Sequence, residues 1–286
     1  MVALYQRRPE RPCYDPRVNR LIPASIALAT TIAASTALLG AAQVDDAPLA
    51  RARQLYNQGQ FDNALQAADQ ARRTPALADA ADLVAARVYL ERFRAGAAPD
   101  DLNGARLRLR RLDPRRFPAR ERTEFIVGLG ETLYVDEAYG AAASVFETVL
   151  LGGDLLVDAA RGRVVDWWAT AIDRDARPRP DAERRAVYAR IRARMIEELA
   201  THPASGAAAY WLVAAARAEG DLRGAWEAAQ AGWVRAPLAS DGGVALRADL
   251  DQLMQRAIVP ERAKALAQPP QVLQAQWDQF KERWAR

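Results

Sequence analysis

The sequence predicts an all-α protein, and three observations predict it. Half of the residues are apolar and Ala dominates them, while Arg far outnumbers Lys, with Lys264 and Lys281 the only lysines; Ala and Arg both favour helix. Aromatic residues are sparse, and no Val/Ile-rich stretch alternates apolar with polar residues at the two-residue period of a strand. Small and large residues recur instead at intervals of three and four, so successive segments each carry one apolar stripe of the kind a packed helix buries.

The clearest segment runs from Thr123 to Leu156. Leu129-Gly130 is followed by Leu133-Tyr134, then by Tyr139, Ala142 and Phe146. Two antiparallel helices are expected, with Gly130 letting their backbones approach closely, Tyr139 at the entry to the second helix, and Ala142 with Phe146 on its buried face. This pattern resembles the tetratricopeptide repeat, whose period is about 34 residues.

The same phase extends in both directions. A first unit spans Asp45 to Ala78, with Ala52, Leu55 and Tyr56 in one helix, Gly59-Gln60-Phe61 in the turn, Ala64, Ala68 and Ala71 in the next helix, and Pro75 as the break. A second begins at Asp79 with Ala86 and Tyr89; its turn is read as lengthened by Ala95 to Asp100, and Leu102, Ala105, Leu109 and Leu112 mark its second helix. Around that stripe lie Arg106, Arg108, Arg110, Arg111, Arg115 and Arg116, read as a solvated outer face, with an anionic partner such as membrane headgroups as the alternative.

A fourth unit starts near Val157 and closes its first helix at Trp167-Trp168; an insertion from Asp173 to Pro180 precedes a second helix carrying Val187, Ile191, Met195 and Leu199. The fifth, Gly206 to Ala239, returns to the pattern with Leu212, Gly220-Asp221-Leu222, Ala225, Ala229 and Pro237. Beyond Gly242-Gly243, the residues Val244, Leu246, Leu250, Leu253 and Ile258 suit a further helix pair or cap. Gln268-Pro269-Pro270 then breaks the chain, and Leu273, Trp277, Phe280 and Trp284 share one side of a last helix. That helix is expected to cap the exposed end of the array; a free amphipathic helix for a partner or membrane is the alternative. The resemblance implies a right-handed superhelical solenoid of about five repeats over residues 43–268, followed by the amphipathic helix at 269–286.

Charge is concentrated at the start of the chain. Arg7, Arg8, Arg11, Arg17 and Arg20 precede the uncharged run Leu21 to Leu39, which ends in Gly40-Ala41-Ala42. Residues 1–42 therefore read as a cleaved signal peptide, which places the repeats in the periplasm or another extracytoplasmic space; the alternative is an anchor in the inner membrane through residues 21–42. The formal net charge of +4 resides largely there, so the sequence gives no basic stripe for nucleic acid. Cys13, the only cysteine, precedes the run, so an exported remainder has no thiol for a disulfide or thiolate metal site.

Common catalytic constellations find little material. His202 is the only histidine and sits at an expected helix end, Ser205 stands near it without an evident acid, Glu197-Glu198 point in different directions on a helix, and Asp173 with Asp175 lacks the glycine and closing glutamate of a calcium loop. No cofactor and no metal site is expected, and the chain is read as a non-enzyme. The expected function is an exported bacterial-type scaffold that holds a peptide or protein partner within a cell-envelope assembly. The alternatives are a structural envelope subunit acting through its convex face or last helix and, last, an α-helical hydrolase.

In the family that the pattern resembles, the first helix of each unit lines a concave groove. Carried onto this chain, the resemblance assigns the groove to Arg53, Tyr56, Asn57, Arg87, Glu131, Tyr134, Arg161, Trp168, Tyr210 and Arg217, with Leu90 at the equivalent place in the second unit. Rings there offer apolar contact at low entropic cost, and guanidinium groups pair with carboxylates or backbone carbonyls. The competing expectation is that Tyr56, Tyr134 and Trp168 simply fill space between helices.

Overall fold

The structure, a computed structural model, describes residues 46–153 and 155–284. The apolar run at Leu21–Leu39 and the expectations attached to it lie outside the described residues. Among the described residues every regular element is helical, and no helix is long and apolar enough to cross a membrane.

The chain divides into two compact units between Asp113 and Pro114, within the stretch that the sequence predicts as one continuous array. Pro114 opens a short 3₁₀ turn, Pro114–Arg116, and Pro118 follows before the next helix, so two residues without a backbone N–H interrupt helical pairing at the division. The first unit contains α1 (Ala47–Asn57), α2 (Phe61–Ala71), α3 (Ala78–Gly96) and α4 (Pro99–Leu109). The second contains α5 (Ala119–Val135), α6 (Tyr139–Leu151), α7 (Asp158–Ala176), α8 (Asp181–Thr201), α9 (Gly206–Glu219), α10 (Leu222–Arg235), α11 (Val244–Leu253), α12 (Val259–Leu266) and α13 (Pro270–Arg283).

Inside each unit, packing follows chain order. α1 packs on α2, α2 on α3 and α3 on α4, and α1 also reaches α3; in the second unit each helix from α5 to α10 packs on the next. There α5 also meets α7, α7 meets α9 and α9 meets α11, so the odd-numbered helices lie side by side. The first core is built largely from Ala52, Ala64, Ala67, Ala68, Ala71, Ala81 and Ala85 with Leu49, Val84 and Val88. The second adds bulk, with Phe146, Trp168, Ile191, Met195 and Trp277 almost fully enclosed.

Three helix pairs close with the same geometry, which the end of α12 repeats at Ala267. Gln60 N–H donates to the Leu55 carbonyl, Ala138 to Leu133 and Asp221 to Ala216, while Gly59, Glu137 and Gly220 donate to Tyr56, Tyr134 and Arg217. These are the paired bonds of a Schellman closure, which requires a left-handed residue just past the helix, and φ is +71° at Gly59, +60° at Glu137 and +89° at Gly220. Asp221 then caps α10 by accepting from Gly224 N–H at 2.7 Å and faces Arg192 at 2.9 Å. The Gly224 bond and the Arg192 guanidinium hold its carboxyl below the usual carboxylate range. The stabilisation is present above the unfolded value and is lost as pH falls through the lowered one.

Close approach at Gly130 takes a specific form. A Cβ at this position would stand 2.5 Å from Phe146 Cε1, so the aromatic ring of α6 rests directly on the backbone of α5. Phe146 in turn lies 5.7 Å from the Trp167 ring of α7.

Several boundaries depart from expectation. The second turn is not lengthened: α3 continues to Gly96, only Ala97 and Ala98 separate it from α4, and Ala97 in the left-handed region ends the helix by donating to the Phe93 carbonyl. α7 does not close at Trp168 but runs two further turns to Ala176, with Ala169, Ala171, Ile172, Asp173 and Ala176 buried. Arg108 is not part of a solvated face; it bonds Asp82 and, at 2.7 Å, Asp69. The segment after Gly243 forms α11, a π turn at Met254–Ile258 and α12, with Pro260 in the first turn of α12. Pro260 has no N–H for the Arg256 carbonyl, and the widened turn just before it accommodates that loss.

Two substitutions test this packing. Gly130→Ala should lower stability by about 1–3 kcal/mol, the usual cost of overpacking, with a smaller loss in a Phe146→Leu background; denaturant midpoints check both. Glu137→Gly should raise stability by about 0.5–1 kcal/mol, since it removes the left-handed strain of a residue with a Cβ, and an unchanged or lower midpoint would contradict the shared closure.

Candidate protein-binding face

Two surfaces carry the residues assigned to a groove, one on each unit. On the first, α1 presents exposed Arg53 and Asn57 with half-buried Tyr56 between them. The Arg87 guanidinium of α3 lies 4.3 Å above the Tyr56 ring centroid, and Tyr56 Oη donates to Glu91 Oε1 at 3.0 Å. Arg94 pairs with the same carboxylate at 2.5 Å. A ring held by a cation on its face and an acceptor at its tip is fixed in orientation. Leu90, the equivalent of Tyr56 in the next pair, is buried in the core instead.

On the second unit, α5, α7 and α9 supply neighbouring rows of half-buried side chains. Tyr134 meets Tyr139 edge to face with centroids 5.5 Å apart, and Arg174 lies 5.6 Å and 5.3 Å from the two rings while donating to Tyr139 Oη at 2.8 Å. Glu131 stands one turn before Tyr134 on the same helix and is half-buried. On α9, Tyr210 contacts Trp211 edge-on at 5.9 Å, and Trp211 Nε1 donates to Asp166 of α7 at 2.8 Å. Arg217, at the end of α9, grips Glu261 of α12 with two nitrogens, Nε at 3.0 Å and an NH2 at 2.5 Å.

Two assigned residues do not reach this surface. Trp168 is 1% exposed and lies in the core. Arg161 is 6% exposed and forms a two-bond pair with Glu198, itself 2% exposed, at 2.7 and 2.9 Å. Both corrections have one cause: Arg161, Val165, Trp168 and Ile172 share the buried stripe of α7, which sits rotated from the register that the resemblance assigned. The stripe Val164, Trp168, Ile172, spaced four apart, was the available signal. Half-buried side chains on α7 include Arg163, Asp166, Trp167, Thr170 and Arg174, none of which sequence reasoning placed on a binding surface.

The catalytic and metal candidates have structural duties. Ser205 Oγ caps α9 by accepting from Ala208 N–H at 3.3 Å. His202 Nδ1 lies 2.8 Å from Thr201 Oγ1 and 3.3 Å from the Glu198 carboxylate. Asp173 accepts from Tyr188 Oη at 2.6 Å and pairs with Arg177, and Asp175 pairs with Arg179. Among the described residues no group of three or more His, Cys, Asp or Glu is placed to hold a metal ion.

The chain matches no protein-family model, no curated protein and no solved structure.

Arg161 and Tyr210 separate structure from surface. Arg161→Met should cost about 3–5 kcal/mol by taking from buried Glu198 its two-bond guanidinium partner and leaving only the His202 ring beside it, and adding Glu198→Leu should recover most of it. Tyr210→Ala should cost far less. Thermal melts read both, and an Arg161→Met chain with wild-type stability would contradict the buried pairing.

Proposed function

We propose that the chain is a non-enzymatic binding scaffold built from tetratricopeptide-like helix pairs in a solenoid arrangement, exported to the extracytoplasmic side and holding a peptide or protein segment against α5, α7 and α9. The observation that carries the reading is the shared closure of three helix pairs. It sets Tyr56, Tyr134 and Arg217 at the same place at the end of a first helix, in agreement with the spacing that the resemblance rests on. The face of the second unit has the chemistry such a role needs. Tyr134, Trp167 and Tyr210 offer rigid aromatic surface, half-covered and hence costing little side-chain entropy to use, and Glu131, Arg163 and Asp166 lie among them to fix orientation. Arg161 and Trp168 support that face from beneath.

Export rests on the charged start and apolar run of the sequence, and a cell-envelope partner follows from that compartment. Ser205 and His202 serve helix ends, which favours binding over hydrolysis.

A photo-crosslinking amino acid at Tyr134 or at Tyr210, followed by capture from detergent-solubilised envelopes, should join the same partner from both positions. The same probe at exposed Ala193 on α8 should not. Equal yield from Ala193, or no product from either tyrosine position, would count against this face.

A further inference from the structure

The last helix is held by few residues through a hinge whose sequence opposes its shape. α13 buries Leu273, Trp277 and Phe280. Trp277 is fully enclosed, edge-on to Trp226 at 6.1 Å and to Trp233 at 5.5 Å on α10, and stacked on Phe280 at 5.7 Å. Its Nε1 donates to Asp251 of α11 at 2.7 Å, and Lys281 Nζ reaches the same oxygen at 2.8 Å while lying 5.8 Å over the Trp233 ring. These contacts form a docking groove on α10 and α11 with a complementary helix already seated in it.

The connection between α12 and α13 is Ala267, Gln268 and Pro269. Folding α13 back requires Ala267 at φ 52° and ψ 40°, the left-handed region that favours glycine. Pro269 and Pro270 restrict the residues before them to extended backbone, so the remaining hinge residues prefer a straight path. Ala267 closes α12, with Gln268 N–H donating to Ala263 and Ala267 N–H to Lys264, and it holds a Cβ in the left-handed region; a straightened hinge releases that strain and hands those two bonds to water, and every contact of α13 with the groove is retained if the helix seats on another copy.

We propose that α13 exchanges between two copies of this chain, the groove of each receiving the Leu273, Trp277 and Phe280 face of the other. The occupant is fixed by the groove itself. It presents Trp226, Trp233 and the Asp251 carboxylate in the arrangement that an indole N–H and an ammonium one turn apart satisfy, and α13 carries both at Trp277 and Lys281. Exchange of an element between protomers needs no new interface, only a hinge that gains by opening.

The test uses the full chain in mild detergent, refolded from denaturant over a range of concentrations and examined by light scattering after size exclusion. Wild type is expected to yield a dimer whose share grows with the concentration at refolding. Ala267→Gly removes the strain of the closed hinge and should lower the dimer share severalfold. Deleting Gln268 and Pro269 leaves the hinge too short to fold back and should convert most of the chain to dimer. Trp277→Ala should abolish the dimer in either background. Wild type that stays monomeric at every concentration, a dimer share indifferent to Ala267→Gly and to the deletion, or a dimer that persists with Trp277→Ala each overturns the proposal. The first two variants leave all core side chains in place, so a folding failure of Trp277→Ala does not remove the test. The probe positions on α5 and α9 are untouched, so the outcome is independent of the binding face proposed above.

Discussion

An interior built from alanine sets the terms for this fold. A methyl side chain excludes little water, so a helix gains stability from an alanine stripe only when its neighbour approaches closely enough to cover the backbone as well. In the first unit Ala52, Ala64, Ala68, Ala71, Ala81 and Ala85 serve this purpose, and in the second the Phe146 ring lies on Gly130. Close helices tolerate small errors of rotation poorly. Smooth alanine surfaces, however, do little to choose one rotation over another, so some other interaction must fix register.

Ion pairs at the edges of the helix packing supply it. In the first unit Asp82 is buried on α3 and receives Arg72 from the end of α2 at 3.0 Å and Arg108 from α4. Toward the other end, Arg92 on α3 reaches Asp62 of α2 at 2.8 Å and Asp101 of α4 at 3.1 Å. Each network joins three helices around a buried carboxylate, Asp82 or Asp101, and a slip of α4 would part Asp82 from Arg108 and Asp101 from Arg92. In the second unit Arg161 and Glu198 do the same between α7 and α8, and Arg194 and Arg161 both donate to the Leu150 carbonyl near the end of α6. Pairs this buried contribute little net stability compared with apolar replacements, but losing one partner is costly. We read them as fixing register, a hypothesis for which the paired replacement of Arg161 and Glu198 is the direct measurement. The abundance of arginine is therefore put to structural use.

How much of this was legible in the sequence follows from which interactions are local. The three closures were legible because the turn chemistry lies within six residues: a glycine two positions before an aromatic or aliphatic residue and an alanine three beyond that. At the middle closure a glutamate occupies the left-handed position, and the surrounding pattern at Tyr134 and Tyr139 carried the assignment. The rotation of α7 was not legible in that way. Trp167 and Trp168 are adjacent; the stripe Val164, Trp168 and Ile172 favours Trp168, whereas the burial of Arg161 against Glu198, 37 residues away, is invisible to any local pattern. The uninterrupted α3 was misread because Gly96 and Pro99 suggest a long turn, whereas Gly96 ends one helix and Pro99 starts the next.

The proposed binding face inherits a consequence from the same economy of contacts. Arg174 is both a cation beside two tyrosine rings and a link from α7 to α5 and α6; Asp166 lies on the face and also holds Trp211 of α9; Arg217 ends the row and also grips α12 through Glu261. A ligand that drew any of these charges toward itself would weaken the contact between the helices that charge joins, and part of its binding energy would be spent on that loss. Binding should then be most favourable through groups whose use leaves the helix contacts intact. Tyr210 and the exposed parts of Trp167 and Tyr134 meet that condition, since each offers ring surface that a partner can cover with the side chain left in place. The face is therefore suited to apolar side chains of an extended or helical segment as its main anchors, with charges of the partner approaching the arginines only from the solvent side, where their existing bonds need not break.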